Sequence, residues 1–246
     1  MKKKLVVLAL IATFVFSFAL TGCENNQPAA GGADSQGGNQ AAVENPEYTF
    51  YLVRHGQTMF NVRGVCQGWS DSPLTEEGVS MAQKLNSGLA DVDFDACYTS
   101  ISERAYDTAN YIIGDRDIPL FIDENLKETN CGSLEGLEDP LPMFPDRIQK
   151  GYTEEGGETM AQTADRFEQA IQSIIAENPN GGTFLVTSHG GAITAYLDKM
   201  FHDTEAWGAF LGGEFHGSMP NCAVSIMHYA DGEFTIESIS DVSYLQ

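Results

Sequence analysis

The sequence predicts a three-layer α/β/α domain on a mostly parallel central sheet. Three observations carry that expectation. Five short apolar runs, at residues 49–53, 96–99, 120–122, 183–187 and 223–229, have the length and composition of buried strands. Amphipathic helical patterns separate most of them, and such alternation sets consecutive strands parallel with helices on both faces. Once a polar N-terminal stretch is set aside, about two hundred residues remain, enough for one domain with a full core.

Residues 1–22 read as a leader. Lys2-Lys3-Lys4 is a basic start, residues 5–20 form an apolar stretch too short for a comfortable membrane span, and Leu20-Thr21-Gly22-Cys23 closes it with small residues before a cysteine. That tetrapeptide resembles the lipobox of bacterial lipoproteins, which implies cleavage before Cys23 and lipidation of its sulfur. Two acyl chains there would give a stable membrane anchor facing outside the cytoplasm. The alternative is an ordinary secretory signal with an incidental cysteine. Residues 23–46 are dominated by Gly, Ala, Asn and Gln. They bury too little apolar surface to offset their ordering entropy, so they read as a flexible tether to a domain at 47–246.

Within the domain the first helix starts at Thr75, a plausible N-cap, with Glu76 and Glu77 in the turn where the helix dipole favours anions. Val79, Ala82, Leu85 and Leu89 make its apolar stripe. Ser100 and Glu103 have the spacing of a capping box, which puts Arg104 in the first turn of a helix burying Ala105, Ala109 and Ile112. A third helix runs over 159–177 through Ala164, Phe167, Ile171, Ile174 and Ile175, and Asn178-Pro179 stops it. A fourth begins after Ser188-His189-Gly190-Gly191. Two stretches resist the scheme. Residues 137–157 carry Pro140, Pro142 and Pro145, and 201–221 is rich in Gly and aromatics, so both are expected to be long loops of the kind that form binding lids.

The formal charge is −22, and the three leader lysines count toward it, so the remainder is more acidic still. Nucleic acid is excluded as a partner, because a phosphate backbone needs a basic stripe. A small anion needs only a local concentration of cations. Cys66, Cys97, Cys131 and Cys222 remain beside Cys23; export permits disulfides and four cysteines allow three pairings, none of which the sequence selects, and their spacing is not that of a zinc site. Asp91, Asp93 and Asp95 precede their strand and read as a solvated turn. His202, His216 and His228 lack metal-pair spacing and read as surface or loop residues.

Candidate chemistry lies just after strands, where ligands bind in open α/β sheets. Arg54-His55 follows the first strand, Arg104 opens the helix after the second, and His189 precedes two glycines that allow close backbone approach at a helix N-terminus. Neutral imidazole can attack a phosphoryl group and guanidinium can hold its oxygens. Each has a structural alternative: a strand-end pair, a surface arginine, a core histidine.

Arg54-His55-Gly56-Gln57-Thr58 with Asn61, Gln67-Gly68-Trp69-Ser70-Asp71-Ser72-Pro73-Leu74-Thr75, Ser100 with Arg104-Ala105 and Thr108-Ala109, Leu126-Lys127-Glu128, Leu134-Glu135-Gly136, Gly156-Gly157-Glu158-Thr159 and Ser188-His189-Gly190-Gly191 occur in this order. Together, over residues 49–229, they resemble the histidine phosphatase superfamily, phosphoglycerate mutase-like branch. The resemblance implies that His55 is the nucleophile that becomes phosphohistidine, that Arg54, Asn61, Arg104 and His189 surround the phosphoryl group, and that Glu128 exchanges protons with the leaving group and water. Gln67, Gly68 and Gly190 would complete the binding site. Only the Leu-x-Glu pattern selects Glu128 over Glu124, Glu135 and Glu138, and Asn61 could instead cap a turn.

No metal or other cofactor is expected, since two guanidinium groups and an imidazole can neutralise the transferred charge. Thr58 stands where the acid phosphatase branch has arginine, and residues 129–136 lack the Arg-His-Tyr-Gly run of glycolytic mutases. The sequence therefore favours hydrolysis of a small phosphomonoester outside the cytoplasm. A phosphoglycerate mutase and a lipoprotein that binds a phosphorylated ligand without turnover are the other readings. The substrate groove is expected between the Pro-rich stretch and the loop with Trp207, Phe210, Phe215 and His216, and the low basic count argues against multiply phosphorylated substrates.

Overall fold

In a computed structural model, residues 45–141, 146–214, 217 and 219–246 are described. The leader, Cys23 and nearly all of the tether lie outside these residues. Strands β1 (Tyr48–Arg54), β2 (Ala96–Ser100), β3 (Leu120–Asp123), β4 (Gly182–Ser188), β5 (Val224–Ala230) and β6 (Glu233–Asp241) form one sheet in the order β3-β2-β4-β1-β5-β6. The first four in that order are mutually parallel, and β5 and β6 close one side antiparallel, so the sheet is mixed with a parallel majority.

β1 shows why helices cover both faces. Phe50 and Leu52 pair in register with Phe184 and Val186 and face one way, whereas Val53 faces the other. The Phe50 side packs Phe167 and Ile171 of α5 (Met160–Glu177), Tyr196 of α6 (Gly190–Phe201) and Trp207 of α7 (Glu205–Gly212). The Val53 side packs Leu85 of α2 (Glu76–Gly88) and Ile112 of α3 (Glu103–Ile113). Each such side chain, removed from water, contributes about 1.5–3 kcal/mol. Thr75 caps α2 by accepting from Gly78 N–H at 3.0 Å, and Thr159 forms a capping box with Gln162 on α5.

Two expectations need correction, and the structure adds features the sequence left open. Ser100 does not cap α3: it remains paired in β2, and Ser102 is the N-cap without a side-chain hydrogen bond. Asp71 Oδ2 accepts from Glu103 N–H in its place, at 2.5 Å. The stretch 201–221 contains α7, whose Trp207 and Phe210 are buried in the core and do not line the cavity beside His55. β6 and α1 (Met59–Arg63) were not anticipated. Finally, Cys66 and Cys131 form a disulfide across 65 residues, while Cys97 and Cys222 are free and buried.

Within 137–157 the described residues include a one-turn helix, α4 (Ile148–Lys150), preceded by a π turn at residues 146–147, and a 3-10 turn at Thr153–Glu155. Asp95 caps the β4 entrance by accepting from Thr183 N–H at 2.8 Å, in keeping with a structural turn. His202 and His228 pair with Asp198 and Glu237 on the surface.

Candidate active site

The four parallel strands deliver the candidate residues to one end of the sheet. His55 follows β1, Arg104 lies in the first turn of the helix after β2, Glu128 comes five residues after β3, and His189 follows β4. Because the strands are parallel, their carboxyl ends share an edge, and the site is a direct product of the topology. His55 N–H donates to Ser188 C=O at 2.9 Å, which locks the β1 and β4 ends together.

His55 is buried, and its Nδ1 lies 2.8 Å from the carbonyl oxygen of Gly56. That contact requires Nδ1 to carry the proton, which leaves Nε2 with a free lone pair. His189 packs edge-on at 5.3 Å between ring centroids, with Nε2 at 2.8 Å from Ser100 Oγ. Arg104 is fully buried; its Nη1 donates to Ser70 C=O and Asp71 Oδ1, both at 2.9 Å, and its Nη2 to Gly68 C=O at 2.9 Å. Arg54 Nη1 donates to Met219 C=O. Among the described residues, Arg54 Nε, Arg104 Nε and His189 Nδ1 are buried with no hydrogen-bond partner. Ser102 N–H donates to Ser100 Oγ at 3.3 Å, which leaves the Ser100 hydroxyl proton for His189 Nε2, and in that tautomer His189 Nδ1 is a donor beside the two arginine Nε groups. Unpaired buried donors of this kind cost free energy unless an acceptor arrives. Three around one neutral imidazole form a cradle for an anion.

Glu128 reaches the same place from the other side. Its Oε1 accepts from its neighbour Thr129 N–H at 2.8 Å and its Oε2 from Gly191 N–H at 3.0 Å, at the start of α6. A Cβ on Gly191 would lie 2.6 Å from Glu128 Oε1, so only glycine admits the carboxylate there. Glu124 and Glu138 are exposed. Glu135 is occupied with Trp69 N–H, Ser70 N–H and Ser70 Oγ at 2.9, 2.8 and 2.7 Å. Among these glutamates only Glu128 lines the cavity, as the sequence pattern selected.

Asn61 caps a turn and also lines the cavity. Its Oδ1 accepts from Thr58 N–H, Thr58 Oγ1 and Asn221 Nδ2 at the start of α1. Gln67 Oε1 lies 3.0 Å from Thr58 Oγ1 and shares that hydroxyl's one proton with Asn61 Oδ1. Gly68 adopts φ 54°, and a Cβ there would meet Glu135 Oε1 at 2.7 Å, so this turn needs glycine. Gly190 packs its backbone against Arg54, whose Nε would lie 3.2 Å from an added Cβ. Asn61, Gln67 and Gly68 border a cavity of about 400 Å³, which Asp139, Leu141, Arg147 and Tyr152 from the 137–157 stretch also line; His189 and Gly190 are not among its lining residues.

Several supporting residues escaped the sequence. Arg166 donates to the carbonyls of Asn125 and Glu128 at 2.9 and 2.7 Å and pairs with Glu158, fixing the chain that carries Glu128. Asn221 Nδ2 donates to His55 C=O at 3.0 Å, and Thr108 Oγ1 accepts from Gly56 N–H at 2.9 Å. Glu158 and Thr108 stood in quoted motifs; Arg166 and Asn221 had no local signal, being brought in only by the tertiary fold.

Burial, then the Arg104 and Arg54 charges, hold His55 well below its ordinary value of 6.5; burial and Arg104 do the same to His189. As pH falls, the unfolded chain therefore takes up these protons first. The stabilisation from neutral imidazoles is complete above about 6.5 and drains away as pH drops through the window beneath it. Urea titrations between pH 7.5 and 5 are expected to show falling stability, with a shallower fall in His189→Gln. Identical pH dependence in the two proteins would contradict a buried neutral His189.

A sequence model of the histidine phosphatase superfamily (branch 1) matches residues 50–242. The chain is 32% identical over 217 residues to a metal-independent phosphoserine phosphatase of Arabidopsis thaliana, covering 82% of this chain and 85% of that one. Among solved structures, YhfR of Bacillus stearothermophilus aligns at TM-score 0.69 and 32% identity, covering 81% of this chain and all of that one. A phosphoglycerate mutase from Bacillus anthracis aligns at TM-score 0.68 and 28% identity, covering 82% and 96%.

Proposed function

The chain belongs to the histidine phosphatase superfamily, branch 1, and on that footing we propose that it hydrolyses small phosphomonoesters through a phosphohistidine on His55. The observation that carries this reading is the set of three unpartnered buried donors around a neutral imidazole whose Nδ1 proton is already engaged. His55 Nε2 attacks phosphorus, and the bond to the leaving oxygen breaks with its electron pair. A proton from the Glu128 carboxyl neutralises that oxygen. Water then attacks the phosphohistidine, Glu128 takes the water's proton, and the P–N bond pair returns to Nε2. Arg54, Arg104 and His189 hold the oxygens through both steps, supplying charge stabilisation without a metal.

Hydrolysis is favoured over mutase chemistry because residues 129–136 lack the Arg-His-Tyr-Gly run. The leader and Cys23 support an enzyme tethered outside the cytoplasm, and the Cys66–Cys131 disulfide suits an oxidising compartment. Purified protein given p-nitrophenyl phosphate and 3-phosphoglycerate is expected to release phosphate. Isomerisation with little release would point to a mutase, and binding without turnover to a ligand carrier. For the anchor, Cys23→Ala is expected to move the protein out of the membrane fraction; unchanged membrane retention would count against lipidation.

A further inference from the structure

One wall of the cavity has the opposite electrostatic character to the arginine cradle. Arg147 is fully buried, and two carboxylates share it. Its Nε donates to Asp139 Oδ1 and Oδ2 at 3.0 and 2.7 Å, and its Nη2 to Asp139 Oδ1 at 2.6 Å and Glu155 Oε1 at 3.1 Å. Nη1 donates to Gly151 C=O at 2.9 Å, and the guanidinium carbon stands 4.3 Å from the centre of the Tyr152 ring. One guanidinium against two carboxylates leaves an excess negative charge. Glu155 Oε2 is buried with no hydrogen-bond partner among the described residues, so that charge is poorly compensated. Residues 142–145 are Pro, Met, Phe and Pro and add no charge of their own.

Asp139 borders the cavity and stays ionised. Burial pushes its carboxyl up, but hydrogen bonds from Arg147, the Leu141 N–H and Tyr152 more than reverse this and hold it below the usual carboxylate range. The Tyr152 phenol is raised by burial and by Asp139 and Glu128, so it is a neutral group. Arg147 is therefore spent within the protein, unlike Arg54 and Arg104, each of which keeps a buried N–H without a partner. A substrate whose phosphoryl group sits among those two meets a carboxylate elsewhere in the same cavity.

We propose that the leaving group of the substrate carries an ammonium or similar cation and no second anion, with Asp139 as the residue that sets this preference. The proposal rests on the hydrolase reading above. A second carboxylate or phosphate on the substrate would face Asp139 across a partly desolvated cavity, where like charges repel strongly.

The test measures kcat/KM for O-phosphoethanolamine, phosphoserine, glycerol 1-phosphate and 3-phosphoglycerate at low salt, with p-nitrophenyl phosphate as a neutral reporter. Phosphoethanolamine is expected to exceed 3-phosphoglycerate at least tenfold, with glycerol phosphate between them and phosphoserine, which has one charge of each sign, below phosphoethanolamine. Asp139→Asn and Glu155→Gln should each shrink the ratio several-fold, and a ratio is insensitive to general loss of active protein. An equal or reversed ratio in the wild type, or one untouched by both substitutions, overturns the proposal while leaving the hydrolase reading intact. Absence of any turnover, the reporter included, instead overturns the hydrolase reading and this proposal with it.

Discussion

Replacing His55 by Asn is expected to abolish phosphate release, a fall of at least about 10⁴-fold in kcat, with the fold retained. The substitution exchanges one neutral buried side chain for another, since His55 is held neutral by burial and by the Arg104 and Arg54 charges. The asparagine amide can still donate to Gly56 C=O, the partner of Nδ1 at 2.8 Å. What disappears is the Nε2 lone pair, and among the described residues lining the cavity no other imidazole can take its place: His189 is fully buried with its Nε2 2.8 Å from Ser100 Oγ. Because Arg54 Nε, Arg104 Nε and His189 Nδ1 remain, inorganic phosphate should still bind the variant. Quenched-flow trapping of acid-labile, base-stable phosphate on the wild type, absent from His55→Asn, would locate the intermediate. A variant that kept a tenth of the activity would remove His55 from the covalent step. His189→Gln should cost less, about 10²–10³-fold, because it removes a donor to the transition state and not the reacting atom.

The candidate site was legible because it is coded locally. Arg54-His55 and His189-Gly190-Gly191 each sit where an apolar run ends, and in parallel strands such ends must share an edge. The same logic failed at Ser100. Its spacing to Glu103 fits a capping box, but the residue is the last of β2, paired with Asp123, and its hydroxyl is committed to His189. Sheet pairing and a functional hydrogen bond outweighed a local motif. α7 was hidden by its glycines and aromatics, which suggest a loop until Trp207 and Phe210 are seen packed against the sheet. β6 alternates exposed and half-buried residues along much of its length at the sheet edge, so it lacks the apolar run of the strands that were recognised.

Long-range partners were the other gap. Glu128 could be chosen only by pattern, and the structure supplies the physical reason: Glu135 is consumed by the Trp69–Ser70 backbone, whereas Gly191 opens a place for Glu128. The pairing of Arg147 with Asp139 and Glu155 spans proline-rich chain with no regular period, so nothing in the sequence marks it. Cysteine pairing was equally open, because no spacing rule selects one of three connectivities.

Loss of the Cys66–Cys131 bond is expected to lower stability by about 4 kcal/mol, the chain-entropy value for closing a loop of this length. The bond joins positions 65 residues apart. For a domain of this size that corresponds to a drop of roughly 8–16 °C in Tm, measurable in Cys66→Ser/Cys131→Ser or in reduced wild type. The effect should extend to catalysis. Cys66 precedes Gln67 and Gly68, whose carbonyl receives Arg104 Nη2, and Cys131 lies three residues past Glu128, so the bond joins the two halves of the cavity wall. Cys66 and Gly136 N–H groups already donate to Leu137 and Cys66 carbonyls at 2.8 and 2.7 Å. These backbone bonds keep the loop near its place, so the reduced protein should lose affinity, seen as a several-fold rise in KM, more than it loses kcat. Scrambling is unfavourable: burial raises the Cys97 thiol, and the Cys222 thiol is pushed up to about 12 by burial, so neither supplies an attacking thiolate. Peptide mapping under non-reducing conditions should accordingly find Cys66 joined to Cys131 and the other two as thiols. Equal Tm and KM in oxidised and reduced protein would deny the bond its role. A protein recovered fully reduced from its native compartment would count against export, because an oxidising environment is what makes such a bond dependable.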